Sequence, residues 1–235
     1  MSKKVFLGVG HGGKDSGVAA NGFKESDLNL KIALYVKSEL ERHGVIVGIS
    51  RTTDENDPIN EEIKECNAFN PNLAVEIHNN AGGGDGAEIF YYSKGGASKT
   101  LAENIIKEIT SIGQNSRGIK TKLGSDGREF YAWIRETVAP AVLIECAFVD
   151  NKEDIKIIDS KEKQEKMGIA IAKGILKELN ISYKNAHQAP AKNSNGNTET
   201  ENKLYRVQVG AFKVKENADR LKNELISKGY NAIVV

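Results

Sequence analysis

Cysteine is scarce in this chain: Cys66 and Cys146 are the two present in 235 residues. They form neither a CxxC pair nor the dense spacing of a disulfide framework, so the chain reads as a thiol-reduced protein made in the cytosol. Long apolar runs are missing too. No stretch approaches the roughly 18 to 20 residues of a spanning helix, and the opening Met1-Ser2-Lys3-Lys4-Val5-Phe6-Leu7-Gly8 turns glycine-rich after three apolar residues. Neither membrane insertion nor a secretory leader is expected. Charge of one sign is also lacking. Lysine plus arginine (33) against aspartate plus glutamate (32) leaves +1, so no global field recruits nucleic acid or an anionic membrane. What is present, 39% hydrophobic and 28% charged residues, is the composition of a globular protein long enough for one large domain and a small one.

Apolar patterning organises the chain. Lys4 to Gly8 and Val45 to Ser50 read as strands, and between them Leu28, Ile32, Tyr35, Val36 and Leu40 recur at helical spacing, with Gly44 as a stop. Leu73 to His78 and Gly86 to Tyr92 are further strands flanking three consecutive glycines. Leu101, Ile105, Ile106 and Ile109 mark another helix, and Ala141 to Val149 is a nearly continuous apolar run of the kind buried on both faces of a sheet. Ile169, Ala172, Ile175, Leu176 and Leu179 mark a closing helix. The alternation predicts an α/β fold, a mostly parallel open sheet flanked by helices. Residues 184–203 are polar and low in apolar side chains, the composition of a flexible linker. After it, Tyr205 to Val209, Val214 to Lys228 and Ala232 to Val235 read as strand, helix and strand, a small βαβ half-module too short to be stable alone. The expected division is 1–183, linker 184–203, and 204–235.

Gly8-Val9-Gly10-His11-Gly12-Gly13 satisfies GxGxxG after a strand, but a dinucleotide site needs a helix to open at those glycines. Asp15, Ser16, Gly17, Asn21 and Gly22 keep this segment irregular until about Ser26, and the second strand ends at Ser50-Arg51 without an acidic residue for a ribose. The same loop offers other chemistry. His11 ends the first strand, Glu25 precedes the first helix, and His78 ends a later strand; the carboxyl ends of neighbouring parallel strands share one crevice. Two imidazoles and a carboxylate form a catalytic zinc set with a fourth position for water. Glu145 interrupts the most apolar strand, where an unpaired charge costs several kcal/mol or raises its pKa. It reads either as an ion pair with Arg135 or Arg51, or as a general base and acid beside the metal. Glu76 alternates with His78 and reads as an orienting carboxylate or a salt-bridged strand residue. Cys146 reads as core, because strand neighbours face opposite ways. His43, at a helix end, and His187, in the linker, are not ligand candidates. Phe130, Tyr131 and Trp133 read as core packing or as a surface for a sugar or peptide.

Residues 5–180 resemble the zinc-dependent N-acetylmuramoyl-L-alanine amidases of cell-wall hydrolases and endolysins, the amidase-3 family. The matching stretches are Gly10-His11-Gly12-Gly13-Lys14-Asp15 with Gly17; Glu25 with Asn29; Ser50-Arg51-Thr52 with Asp54; Glu76-Ile77-His78-Asn79-Asn80-Ala81; Arg117-Gly118-Ile119-Lys120; and Pro140 through Asn151. The resemblance implies one Zn2+ held by His11, Glu25 and His78, with Glu145 as catalytic carboxylate. It also implies that the substrate is the amide joining muramic acid to the first L-alanine of the peptidoglycan stem peptide. Val9 departs from the proline usual in the family. Residues 205–235, opening Tyr205-Arg206-Val207-Gln208-Val209-Gly210-Ala211-Phe212, look like the first half of a SPOR domain, a peptidoglycan-binding module. Two such halves from two chains would complete one sheet, giving a homodimer. The expected route to the wall is release by lysis or through phage pores. The rival readings are a wall-binding protein without catalysis and a zinc peptidase or deacetylase on another wall amide.

Overall fold

A computed structural model describes residues 2–185, 210, 214–227 and 234. The chain divides into two units, Met1–Gln188 and Ala189–Val235. In the first, the elements run β1 (Lys4–Val9), a ribbon of β2 (Ala19–Ala20) and β3 (Phe23–Lys24), α1 (Glu25–Arg42), β4 (Ile46–Ile49), α2 (Ile59–Phe69) and β5 (Leu73–Asn80). There follow β6 (Ala87–Tyr91), α3 (Ala97–Ser111), β7 (Ser116–Lys120), α4 (Ala132–Glu136), β8 (Ala141–Phe148), a 3-10 turn (Asp154–Ile157) and α5 (Lys161–Glu178).

Six strands form one sheet in the order β4-β1-β5-β8-β6-β7. The first four are parallel; β6 pairs antiparallel with β8, and β7 runs parallel with β6. The expected α/β architecture with a mostly parallel sheet is therefore present. Reversal at β6 means that one rim of the sheet collects the carboxyl ends of β1, β5 and β8 together with the amino ends of β6 and β7.

Three helices cover one face. Leu28, Ile32, Val36 and Leu40 of α1 are all fully buried, each contributing roughly 1.5–3 kcal/mol. Asp27 and Glu25 complement the helix start, Arg42 the end, and Gly44 at φ +78° releases the chain. Ser160 caps α5 by accepting from Lys163 N at 3.3 Å. That helix lies close between α1 and α3 because it carries glycine at both crossings: a Cβ on Gly168 would meet Tyr35 Cβ at 2.5 Å, and one on Gly174 would meet Ile105 Cα at 2.5 Å. On the opposite face α2 and α4 cover only the lower half. Phe6, Ile63, Cys66, Phe90, Trp133 and Leu143 pack there as a second core, and the upper half of that face stays open.

Several elements depart from the sequence expectation. The segment expected to be irregular up to Ser26 contains the β2–β3 ribbon, and Glu25 is the first residue of α1 rather than its forerunner. The helix α2 and the strand β7 were not expected, because Ile59, Ile63 and Cys66 give α2 only a thin apolar stripe and β7 is an edge strand with one apolar residue, Ile119. In the second unit α6 (Lys215–Ser227) half-buries Ala218, Leu221 and Leu225, as its pattern predicts. The strands expected at 205–209 and 232–235, the linker beyond residue 185, His187, and the dimer that would join two half-modules lie outside the described residues. No described helix is long and apolar enough to cross a membrane.

Candidate metal centre

The open half of the sheet face is a crevice of about 530 Å³ whose wall includes Gly10, His11, Glu76, His78, Tyr131 and Glu145. β1 ends by handing Gly10 N to Ile77 O at 3.1 Å, and His11 then takes φ +62°, a left-handed turn that directs the chain out over the rim. Gly10 makes room for His78: a Cβ there would lie 2.1 Å from His78 Cε1. Among the described residues, one group of three His, Cys, Asp or Glu side chains converges, with ligand atoms of His11, Glu25 and His78 all within 4.8 Å of one another.

One carboxylate oxygen organises the centre. Glu25 Oε1 lies 3.2 Å from His11 Nε2 and 3.0 Å from His78 Nδ1, with the two rings edge-on at 5.0 Å. The other ring nitrogens are held from outside by carboxylates, His11 Nδ1 by Asp15 Oδ2 at 2.8 Å and His78 Nε2 by Glu76 Oε1 at 3.2 Å. These partners fix ring orientation and raise ligand basicity. Glu76 thus makes the contact with His78 that the orienting reading of its alternation calls for. Asp15 is the counterpart on His11 that sequence reasoning passed over; its i+4 spacing from His11 in a glycine-rich loop was the available signal. Glu25 is itself fixed by Val18 N and Asn79 N, at 3.1 and 3.2 Å. Asn29 bridges Gly10 O and Asn79.

The electrostatics favour positive charge at this point. Burial opposes ionisation of Glu25, yet the contacts with His11 and His78 overcome it and hold the carboxyl far below its ordinary range. The Glu25 contact raises His11. Burial pulls His78 down, but Glu25 and Glu76 lift it well above the ordinary imidazole value. Two nitrogens and a carboxylate oxygen aimed at one place, backed by two further carboxylates, are a donor set that fits Zn2+ with room for a further ligand from the crevice.

Glu145 stands directly opposite His78 in the β5–β8 register. Its Oε2 is buried with no hydrogen-bond partner. Burial, followed by the charges of Glu25, Glu88 and Glu76 against the opposing pull of His78, pushes its pKa up to about 7. The ion-pair reading fails. Arg51 donates to the backbone oxygens of Val9, Gly10, Ser26 and Thr53, and Arg135 to Glu129 O, Phe130 O and Glu136. Arg51 is instead a buried brace tying the end of β1 to the start of α1.

The remaining candidates separate cleanly. Cys146 is buried, its thiol pushed well up by burial and then by the nearby carboxylates of Glu145, Glu25 and Asp154, and Cys66 is buried on the other face. His43 closes α1, its Nδ1 2.8 Å from Glu39 O. Trp133 is core, Phe130 is half exposed, and Tyr131 joins the crevice wall. Burial, then the charges of Glu145, Glu88 and Glu76, push the Tyr131 phenol up to about 12. The Gly82-Gly83-Gly84 loop is tethered, with Asp150 Oδ2 accepting from Gly82 N and Gly83 N at 2.8 and 3.0 Å.

Comparison with known proteins gives a family. Residues 5–177 match the N-acetylmuramoyl-L-alanine amidase family and residues 201–235 the SPOR domain. The sporulation-specific N-acetylmuramoyl-L-alanine amidase of Bacillus subtilis is 33% identical over 236 residues, covering 99% of this chain and 84% of that protein. The endolysin of Bacillus phage SPP1 is 38% identical over 201 residues, covering 82% of this chain and 72% of the endolysin. Among solved structures, the catalytic domain of CwlV, an N-acetylmuramoyl-L-alanine amidase from Bacillus (Paenibacillus) polymyxa, superimposes with a TM-score of 0.68 at 30% identity, over 77% of this chain and 99% of that domain. With the sheet, the crevice and the family match in agreement, this chain belongs to the N-acetylmuramoyl-L-alanine amidase family.

Proposed function

We propose that this chain is a zinc-dependent peptidoglycan hydrolase cleaving the amide between N-acetylmuramic acid and the L-alanine of the stem peptide. The observation that carries the reading is the buried, unpartnered carboxylate oxygen Oε2 of Glu145, on the residue facing His78 across one strand pair. His11, Glu25 and His78 would hold the ion, with Asp15 and Glu76 holding the imidazoles in place. Zinc supplies Lewis acidity, making water nucleophilic near neutral pH and polarising an amide carbonyl.

Glu145 then serves twice. Its pKa of about 7 lets the carboxylate take the proton of the attacking water and the carboxylic acid return it to the leaving L-alanine nitrogen, which is a poor leaving group unless protonated. The Tyr131 phenol, neutral at working pH, gives the crevice a hydrogen-bond donor towards substrate. Residues 1–183 would be the catalytic domain, 184–203 a linker, and 204–235 a peptidoglycan-binding half-module of SPOR type, a reading supported by the SPOR match over residues 201–235. The substrate lies in the wall, so the chain would act there after release by lysis or through phage pores.

Mass spectrometry of material released from purified peptidoglycan by the zinc-loaded protein, with Glu145→Gln alongside, tests the reading. Stem peptides beginning at L-alanine, released by the parent protein alone, are the expected result. Fragments cut inside the peptide, or loss of acetyl groups, would overturn the substrate assignment, and wall binding without release would overturn catalysis.

A further inference from the structure

The crevice face continues past Glu145 into a charge arrangement that the catalytic reading leaves unused. Glu88 of β6 pairs with Glu145 in register, and directly opposed residues share one face of a sheet. Glu88 is 6% exposed. Its Oε1 accepts from Asn80 Nδ2 at 2.9 Å, and its Oε2 accepts from Arg117 Nε at 2.7 Å and Lys120 Nζ at 2.5 Å. The Arg117 guanidinium also lies 5.0 Å from the Phe148 ring, which the register shift between His78 and Asn80 sets opposite Asn80. A row therefore crosses the sheet: His78 on β5, Glu145 on β8, Glu88 on β6, and two cations on β7.

One carboxylate against two cations leaves one positive charge uncompensated. The Arg117 and Lys120 side chains are 38% and 35% exposed, so their heads reach solvent, and among the described residues Arg117 donates only through Nε. The β1 side of the crevice is acidic, with Asp15 and Asp57 in its wall. A substrate carboxylate is repelled at the β1 side and attracted at the β7 side.

We infer that Arg117 and Lys120, gathered by Glu88, bind the free α-carboxylate of the second residue of the stem peptide and so direct the peptide across β6 and β7. The inference rests on the catalytic role proposed for Glu145, and it adds the direction in which substrate lies. Strands about 4.8 Å apart place Glu88 of β6, where the two cation heads meet, about 10 Å from His78 of β5. Where the second residue is joined onward through its side chain, its α-carboxylate is free and lies about 6–7 Å along the chain from the scissile nitrogen. Adding about 3 Å of hydrogen-bond distance spans the gap. The neutral glycan is left to the acidic side, which a carboxylate-bearing peptide avoids. Arg117 and Lys120 are specificity residues here, since neither reaches the reacting atoms.

Two muramoyl tripeptides test this, one with the second-residue α-carboxylate free and one with it converted to the amide. Calorimetric titration of both into Glu145→Gln protein, and KM and kcat of both with the zinc-loaded parent, give independent readouts. The free acid is expected to bind roughly tenfold more tightly, with the difference in KM and kcat changed less than about twofold. Lys120→Gln should narrow the preference, and Arg117→Lys, which keeps a cation on Glu88, should narrow it without unfolding the protein. Equal Kd and equal KM for the two tripeptides in the unsubstituted β7 background would overturn the inference while leaving catalysis intact. Failure to cleave either at the lactyl amide would overturn both readings.

Discussion

Glu145 and Glu62 show how burial does different work on two carboxyls of one crevice. Glu145 faces His78, so on the proposed mechanism Glu145→Gln keeps its shape while removing proton transfer; kcat is expected to fall by about 10²–10⁴, with melting temperature held or raised because a charge is removed from a largely buried site. Release assays and a thermal melt on the same sample check both halves. Glu62 has no such duty in the mechanism. It accepts from Val9 N at 2.8 Å, and burial, then the nearby charge of Glu76, push its pKa from 4.5 to about 8. A carboxyl raised on folding contributes its full stability below pH 4.5 and loses it as pH rises towards about 8. Glu62→Gln, whose amide oxygen still accepts from Val9, should match the parent at pH 4 and exceed it at pH 9 by about 1–3 kcal/mol. Urea titrations at the two pH values decide it; a constant difference would sink the explanation. Gly10→Ala belongs here as well. Its methyl would occupy the His78 ring position, so the variant should fold but bind Zn2+ far more weakly, measurable by competition with a chromogenic chelator.

At the scale of elements, the 3-10 turn after β8 is tied to the sheet by one side chain. Asp154, 3% exposed, accepts from Gly86 N at 3.0 Å, Phe148 N at 2.7 Å and Gln114 Nε2 at 2.8 Å. It thereby joins the start of β6, the end of β8 and the approach to β7. Asp154→Ala strands three buried donors and should cost about 2–5 kcal/mol, read as a lowered urea midpoint. The elements that sequence made legible are those whose apolar period is strong: α1 through Leu28, Ile32, Val36 and Leu40, and β8 through its unbroken run. α2 and β7 were hidden because half-exposed elements need little apolar surface, and their positions are set by tertiary packing. The site was legible to the extent that its residues end strands or break an apolar run, as His11, His78 and Glu145 do. Asp15, Arg51 and the Glu88 network were not, since an exposed-looking charge in sequence reveals nothing about the backbone oxygens or cations that fold against it.

The molecule as a whole joins two units of unequal size, and among the described residues the packed apolar clusters of the larger fall between Val5 and Tyr183. A chain ending at residue 185 is therefore expected to melt as the parent does and to cleave soluble muramoyl peptides at an unchanged rate. Its retention on intact peptidoglycan should fall severalfold, measured by co-sedimentation; unchanged retention would place wall affinity in the catalytic unit.

The centre also draws its donors from parts of unequal firmness. His78 and its facing Glu145 lie on β5 and β8, the two middle strands, whereas His11 rides on a rim loop held to the rest of the fold from outside the sheet, by Gly13 N on Asp54, Val18 N on Glu25 and Ser26 N on Ser16 O. Amide exchange through the middle strands should follow global opening, while residues 11 to 18 exchange sooner. An ion held there, as proposed, would leave by the lifting of one loop, not by dissolution of the sheet. Its residence time would thus be uncoupled from the lifetime of the fold: a chelator is expected to silence the enzyme long before it denatures it, and returned metal to find two of its three proposed ligands still waiting in register.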